Sequence, residues 1–269
     1  MSDALDEIVN DLAAEQAALG KVLDRLSEAA WDTQTPAEGW SVRDQVSHLA
    51  YFDEAATRAM QDRDAFKAEI EELMKNTGEF EAIPLARGRG GTAGELLDWW
   101  RSASSSLITA AQNVDPAGRV PWYGPDMSPA SFITARLMET WAHGLDVVDA
   151  VGANRPDTDR LRHVAFIGVR ARPYSYSVRG KQAPDTTIRV ELTSPSGETW
   201  VLGDPEAADV VRGTATDFCR VATQRRHVAD TNLEVRGEAA KEWIAIAQAF
   251  AGPPGPGRRP GQFAAEPRA

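Results

Sequence analysis

The sequence predicts an α+β protein: a four-helix bundle over residues 1–152, a smaller α+β domain over 153–252 and a disordered tail over 253–269. Three observations predict it. Apolar residues in the first 150 positions recur at the three-to-four spacing of one helix face. Between Thr187 and Leu202 the pattern switches to the period of two that marks strands. From Gly252 onward Pro and Gly dominate, a composition that cannot bury enough apolar surface to pack.

The first helix carries Leu5, Ile8, Val9, Leu12, Leu19, Val22, Leu23 and Leu26 on one face, and ends before the loop Thr35-Pro-Ala-Glu-Gly-Trp40. Ser41 is the expected N-cap of the second helix, with Asp44 in the place of the capping-box acid. That helix carries Val42, Val46, Leu49, Ala56 and Met60 and is expected to run on to about Glu71. Pro84 to Gly94 reads as a Gly/Arg-rich connection. A third helix is expected over Thr92 to Asn113, through Leu96, Trp99, Trp100, Leu107 and Ile108. The fourth starts at Ser128-Pro129, a cap followed by proline in the first turn, and ends near Gly152.

In the second half a helix is expected over Thr158 to Arg172, and Thr187 to Thr193 and Glu198 to Leu202 form a hairpin about Ser194-Pro-Ser-Gly197. A helix over Ala215 to Arg225, a short strand at Asn232 to Gly237 and a last helix over Glu238 to Phe250 complete it.

Composition excludes several functions. The net charge of −11 argues against a nucleic-acid binder, which needs a basic footprint to displace counterions. No run approaches the roughly 20 apolar residues of a membrane span, and the acidic start Met-Ser-Asp-Ala-Leu-Asp does not read as a secretory signal. The single cysteine, Cys219, rules out an internal disulfide framework and fits a reducing, cytoplasmic setting. It is expected to be buried and inert.

Chemistry is concentrated at Glu139 and His143, which lie four residues apart and therefore on one helix face. A carboxylate and an imidazole so placed can converge on one divalent cation, or can be no more than a solvated ion pair. Scarcity favours the metal. The chain holds only four histidines, His48, His143, His163 and His227, and the first two sit among apolar residues in helical patterns. His48, on the second helix, is the candidate third ligand, because helix bundles build metal sites from facing helices. His163 and His227 lack matching spacing and are expected at the surface. Arg136 and Asp146 lie one turn either side of the pair, as partners that orient a ligand or as local i,i+3 pairs without a metal role. Among the tryptophans, Trp122, in a Pro/Gly loop before the fourth helix, is the best candidate for a pocket wall lining a cofactor site, with Arg136 a second candidate contact.

Trp40-Ser-Val-Arg-Asp-Gln-Val-Ser-His48 and Glu139-Thr-Trp-Ala-His143-Gly-Leu-Asp146, in this order and about 90 residues apart, resemble the DinB-like helical bundles, and within them the mycothiol-dependent maleylpyruvate isomerase family of actinobacteria. The resemblance covers about the first 150 residues. It implies that His48, Glu139 and His143 bind a divalent metal, usually zinc, and that mycothiol is the thiol cofactor. It also implies an arginine needed for activity in the second domain. Arg225 is the first candidate and Arg220 the second, both within Gly213-Thr-Ala-Thr-Asp-Phe-Cys-Arg-Val-Ala-Thr-Gln-Arg225.

Three protein ligands leave a zinc position open, as in catalytic sites. A thiol entering it loses its proton and becomes the competent nucleophile. Isomerisation or S-transfer on a small electrophile follows from that, with the small thiol and its substrate as partners. Metal-bound water would make a hydrolase, with Asp44 or Asp146 as base, and a structural metal would make a non-catalytic binding or stress-response module. Iron or nickel suits the same ligand set as zinc. Monomer and homodimer are equally compatible with the sequence.

Overall fold

The computed structural model describes residues 2–73 and 82–263. The chain divides into two compact units, Met1–Arg155 and Pro156–Ala269. Its class is α+β, as expected, with a DinB-like helical bundle in the first unit.

The first unit contains α1 (Ser2–Leu23), α2 (Val42–Gln61), α3 (Arg63–Leu73), α4 (Ile83–Gly90), α5 (Ala93–Asn113) and α6 (Pro129–Val151), with a 3-10 turn at Glu28–Asp32. The long helices α1, α2, α5 and α6 form the bundle: α2 packs on α5 and α6, and α1 on the same two. The apolar stripes read from the sequence face inward. Leu12, Leu19, Val42, Val46, Leu49, Leu107 and Val147 are fully buried. The caps expected at Ser41 and Ser128 form, and Thr92 adds a further one. Ser41 and Asp44 make a reciprocal capping box on α2, Thr92 and Glu95 do so on α5, and Ser128 caps α6 ahead of Pro129. Gly152 closes α6 in the left-handed region at φ 61°, where glycine carries no steric penalty.

Between the helices lies a buried polar junction. Asp53 on α2 is fully buried and pairs with Arg136 of α6 at 2.7 Å. It also accepts from Ser104 Oγ of α5 at 3.0 Å and from Gln16 Nε2 of α1 at 3.5 Å. One carboxylate thus ties together all four long helices.

Two expectations are corrected here. The second helix does not continue to Glu71 but breaks at Asp62, whose φ of −142° and ψ of 85° leave the helical region. The Asp62 carboxylate then accepts from Ala65 N at 3.0 Å, so an aspartate that favours a cap over a helix interior starts α3. The stretch from Pro84 is no open connection either, since Ile83–Gly90 is a helix with proline in its first turn. Gly88 serves approach, not turning: a Cβ there would lie 2.5 Å from Ser47 Cβ, so its absence lets α4 lie against α2 beside His48. Ser47 Oγ joins the two by donating to Pro84 O at 2.6 Å and accepting from Gly88 N at 3.2 Å.

The second unit contains α7 (Leu161–Arg170), α8 (Arg172–Ser177), β1 (Ile188–Thr193), β2 (Thr199–Gly203), β3 (Asp209–Thr214), α9 (Ala215–Ala222), β4 (Glu234–Arg236) and α10 (Glu238–Ile246). The sheet order is β2-β1-β3-β4. The hairpin forms, with Thr193 opposite Thr199, and β3 lies parallel to β1. Ile188, Val190 and Leu192 alternate into the core, where Phe218 of α9 meets Trp243 of α10 edge-on at 5.9 Å. The sequence reading missed β3 and α8, and three helices end earlier than expected. The helix from Ala215 stops at Ala222 because Gln224 adopts a positive φ of 58°.

Residues 253–263 form no regular helix or strand, but Gly261 N and Phe263 N donate to the Asp230 carboxylate, and the Arg226 guanidinium lies 3.7 Å from the Phe263 ring. Residues 264–269 of the expected tail lie outside the described residues. Among the described residues no helix is long and apolar enough to cross a membrane.

Candidate metal centre

The capping box sets where α2 begins. Just before it, Thr35 N donates to Trp40 O at 2.8 Å and Val42 N to Thr33 O at 3.0 Å, closing a turn through Gly39 that holds Trp40 over the helix start. His48 follows on the second turn of α2. Glu139 and His143 stand one turn apart on α6, which packs directly on α2. The three residues come together, with one donor atom from each lying within 4.8 Å of the other two.

Within the cluster, His143 Nε2 is 3.1 Å from Glu139 Oε2 and the two imidazole centroids are 4.3 Å apart. His143 is 9% exposed, while Glu139 and His48 are partly open. Burial alone raises the Glu139 pKa. The hydrogen bond with His143 and the charges of His143, His48 and Arg136 outweigh it and bring the carboxyl down to about 2. Glu139 is therefore an anionic donor at any physiological pH. Trp40 stacks on His143 at 5.9 Å and 20° and meets His48 at 5.3 Å, and Phe52 lies 4.6 Å from His48. Gln45, three residues before His48, places its Oε1 2.6 Å from His143 Nδ1.

Residues 12–148 match the family model for the mycothiol maleylpyruvate isomerase N-terminal domain. The chain belongs to that family. An uncharacterized protein of Mycobacterium tuberculosis, found in strains CDC 1551 and H37Rv, is 42% identical over 250 residues, covering 93% of this chain and 97% of the relative. Among solved structures, the crystal structure of the mycothiol-dependent maleylpyruvate isomerase superposes with a TM-score of 0.56 at 18% identity, over 82% of this chain and 90% of that one. A histidine-to-alanine mutant of the isomerase gives 0.57 over the same shares. Likeness at this identity carries the fold.

On this isomerase-family bundle the other candidate residues separate. Trp122 is half-buried in an aromatic cluster with Phe66, Tyr123 and Phe132, and reaches His48 through Phe52 at 6.1 Å. Its loop is pinned by paired hydrogen bonds between Val120 and Met127 and by Arg63, which bonds Arg119 O and pairs with Asp126. Trp40, in the turn ahead of α2, stands nearer His48 and His143 than Trp122 does. Arg136, the second candidate cofactor contact, lies in the buried junction with Asp53. Its guanidinium is 4% exposed and spent on Asp53, so its influence on Glu139 is electrostatic and positional. Asp146 is fully buried.

Arg220 and Arg225 belong to the second unit. Arg220 is on α9, whereas Arg225 lies beyond the end of that helix, with Nη1 donating to Thr223 O at 2.8 Å. Cys219 is fully buried, its Sγ 3.6 Å from Leu161 O, and burial pushes its thiol pKa well up, the opposite of what a nucleophile needs. His163 and His227 are half-buried, and His227 Nδ1 accepts from Ala229 N at 3.1 Å.

Gln45 was the residue sequence reasoning missed. The signal was its place one turn before His48 on the same helix face, where a polar side chain flanked by Val42, Val46 and Leu49 needs a buried partner.

Proposed function

We propose that this chain is a divalent-metal-dependent enzyme that uses mycothiol to isomerise a small electrophilic substrate. The observation that supports this reading is the convergence of His48, Glu139 and His143 in a member of the isomerase family. Mycothiol dependence and maleylpyruvate isomerisation are properties of the solved relative, carried here as a proposal.

The donor set fits a cation such as zinc. Two imidazoles and one carboxylate are standard zinc ligands, and three protein donors leave room for a further ligand. The 3.1 Å between Glu139 Oε2 and His143 Nε2 suits two atoms bound to one ion at about 2.0–2.2 Å each. His48, Glu139 and His143 would hold the cation, which when bound would favour the thiolate form of mycothiol at neutral pH, the nucleophile that reversible addition to an activated double bond requires.

The chain's own residues prepare for that. Glu139 stays ionised and offsets part of the cation's charge. Trp40 and Phe52 flank the imidazoles and limit water around the donors, where a lower dielectric strengthens each electrostatic contact. Asp53 and Arg136 lock α2 to α6, which keeps His48 opposite Glu139 and His143. The wall from Phe52 to Trp122 and Tyr123 offers flat apolar surface to a conjugated substrate. Arg225, and after it Arg220, is the proposed holder of a substrate or cofactor carboxylate through a bidentate pair.

For the hydrolase reading, Asp44 would be a weak base. Asp44 already accepts from Ser41 N, Ser41 Oγ and Arg89 Nε, which together outweigh its burial and hold its pKa below the usual range. Asp146 is fully buried.

The test follows cis–trans isomerisation of maleylpyruvate by zinc-loaded, chelator-stripped and reloaded protein, each with and without mycothiol. Turnover is expected only when metal and thiol are both present, with loss on stripping and recovery on reloading. Turnover that ignores either component overturns the proposal.

A further inference from the structure

Resting on the metal reading above, we infer that Gln45 decides which nitrogen of His143 is free to meet the cation. One hydrogen-bond chain runs outward from the His143 ring. Gln45 is fully buried on α2 and touches two polar groups: its Oε1 is 2.6 Å from His143 Nδ1 and its Nε2 is 2.9 Å from Thr35 Oγ1. The two ends of a glutamine amide are alike in shape, so the surrounding network must tell them apart.

Thr35 does so. A hydroxyl has one proton to give, and that of Thr35 goes to Trp40 O at 2.8 Å. Toward Gln45 the threonine oxygen can then only accept, so the NH₂ end faces Thr35 and the carbonyl end faces His143. A carbonyl oxygen only accepts. The proton in that 2.6 Å contact therefore sits on His143 Nδ1.

The opposite nitrogen faces a competing acceptor, the Glu139 carboxylate at 3.1 Å. A neutral imidazole has a single proton to place between them. On Nε2 it would occupy the lone pair that points toward Glu139 and His48. Gln45 gives that proton a site on the far side of the ring, so the proton a cation would displace is the one shared with Glu139, and Nε2 becomes the nitrogen free to meet it. The same contact fixes the ring's rotation, which Trp40 supports by stacking on its face. Gln45 is thus a positioning residue acting through His143, and Thr35 and Trp40 O are what fix its amide the right way round.

The experiment compares zinc affinity, by competition with a chromophoric chelator, in wild type, Gln45→Leu and Gln45→Glu, with thermal unfolding of each metal-free protein alongside. Losing the acceptor in Gln45→Leu is expected to lower zinc affinity about 10–100-fold while metal-free stability holds, the usual consequence of removing a partner behind a ligating histidine. Gln45→Glu keeps an acceptor oxygen and should stay near wild type. A residue that merely fills space gives the reverse order, because leucine packs well and a buried carboxylate does not. Nitrogen-15 NMR of the zinc-loaded wild type should show a protonated His143 Nδ1 and an unprotonated Nε2, whatever the variants do. Wild-type affinity in a folded Gln45→Leu, or a proton on Nε2 in the zinc-bound protein, overturns the role of Gln45 alone. A wild type that takes up no zinc overturns the metal reading itself.

Discussion

Alanine at His143 is expected to abolish the zinc binding proposed above while leaving the bundle folded. The variant removes one of three donors, and the two that remain, His48 and Glu139, come from different helices. Sharing roughly 10–16 kcal/mol of structural zinc binding among four ligands gives on the order of 3 kcal/mol each. That corresponds to about a hundredfold loss of affinity, enough to lose the cation during purification. Calorimetric zinc titration and elemental analysis of both proteins check it. Glu139→Gln should behave similarly, since it removes the anionic donor at nearly constant shape. Retention of wild-type zinc affinity by either variant would remove these residues from the ligand set.

Asp53→Ala should be the most damaging substitution for stability. It leaves the 4%-exposed Arg136 guanidinium buried without its counter-ion and removes the acceptor shared by Ser104 and Gln16. Breaking a buried pair from one side costs about 3–5 kcal/mol, which for units of this size lowers Tm by roughly 6–20 °C. Replacing both partners, as in Asp53→Leu with Arg136→Met, should recover most of the loss, because the cost lies in the orphaned charge. A single variant within about 1 kcal/mol of wild type, inside the range of ordinary surface changes, would show that the junction does not hold the helices.

These two predictions rest on features of unequal visibility in the sequence. The cluster of His48, Glu139 and His143 was legible because histidine is scarce, and because a four-residue spacing puts two side chains on one helix face. The capping box at Ser41 and the hairpin about Ser194 were legible for the same reason: short-range chemistry determines them. The Asp53–Arg136 pair spans 83 residues and joins two helices whose relative rotation no periodicity reveals. Arg136 could therefore be placed one turn from Glu139 but not matched to its partner. Gln45 was hidden the same way, since its partners Thr35 and His143 lie in a turn and in another helix. The stretch at Pro84 misled because glycine and arginine suggest a loop, whereas Gly88 is needed for close packing on Ser47. Strand β3 was missed because Asp209-Val-Val-Arg-Gly-Thr214 sets two valines side by side and shows no period of two, and its pairing with β1 is what makes it a strand.

The same local rules separated the two thiol roles. Cys219 is sealed by burial, so the nucleophile in this account comes from outside the chain and needs a cation held by the protein to keep it a thiolate. The cluster on α2 and α6 is the proposed place for it.

Zinc-edge X-ray absorption of the loaded protein, before and after mycothiol, measures that most directly. The account predicts a nitrogen and oxygen shell alone in the first spectrum and, on adding mycothiol, a single new sulfur at about 2.3 Å. A first shell that stays free of sulfur at saturating mycothiol would contradict it.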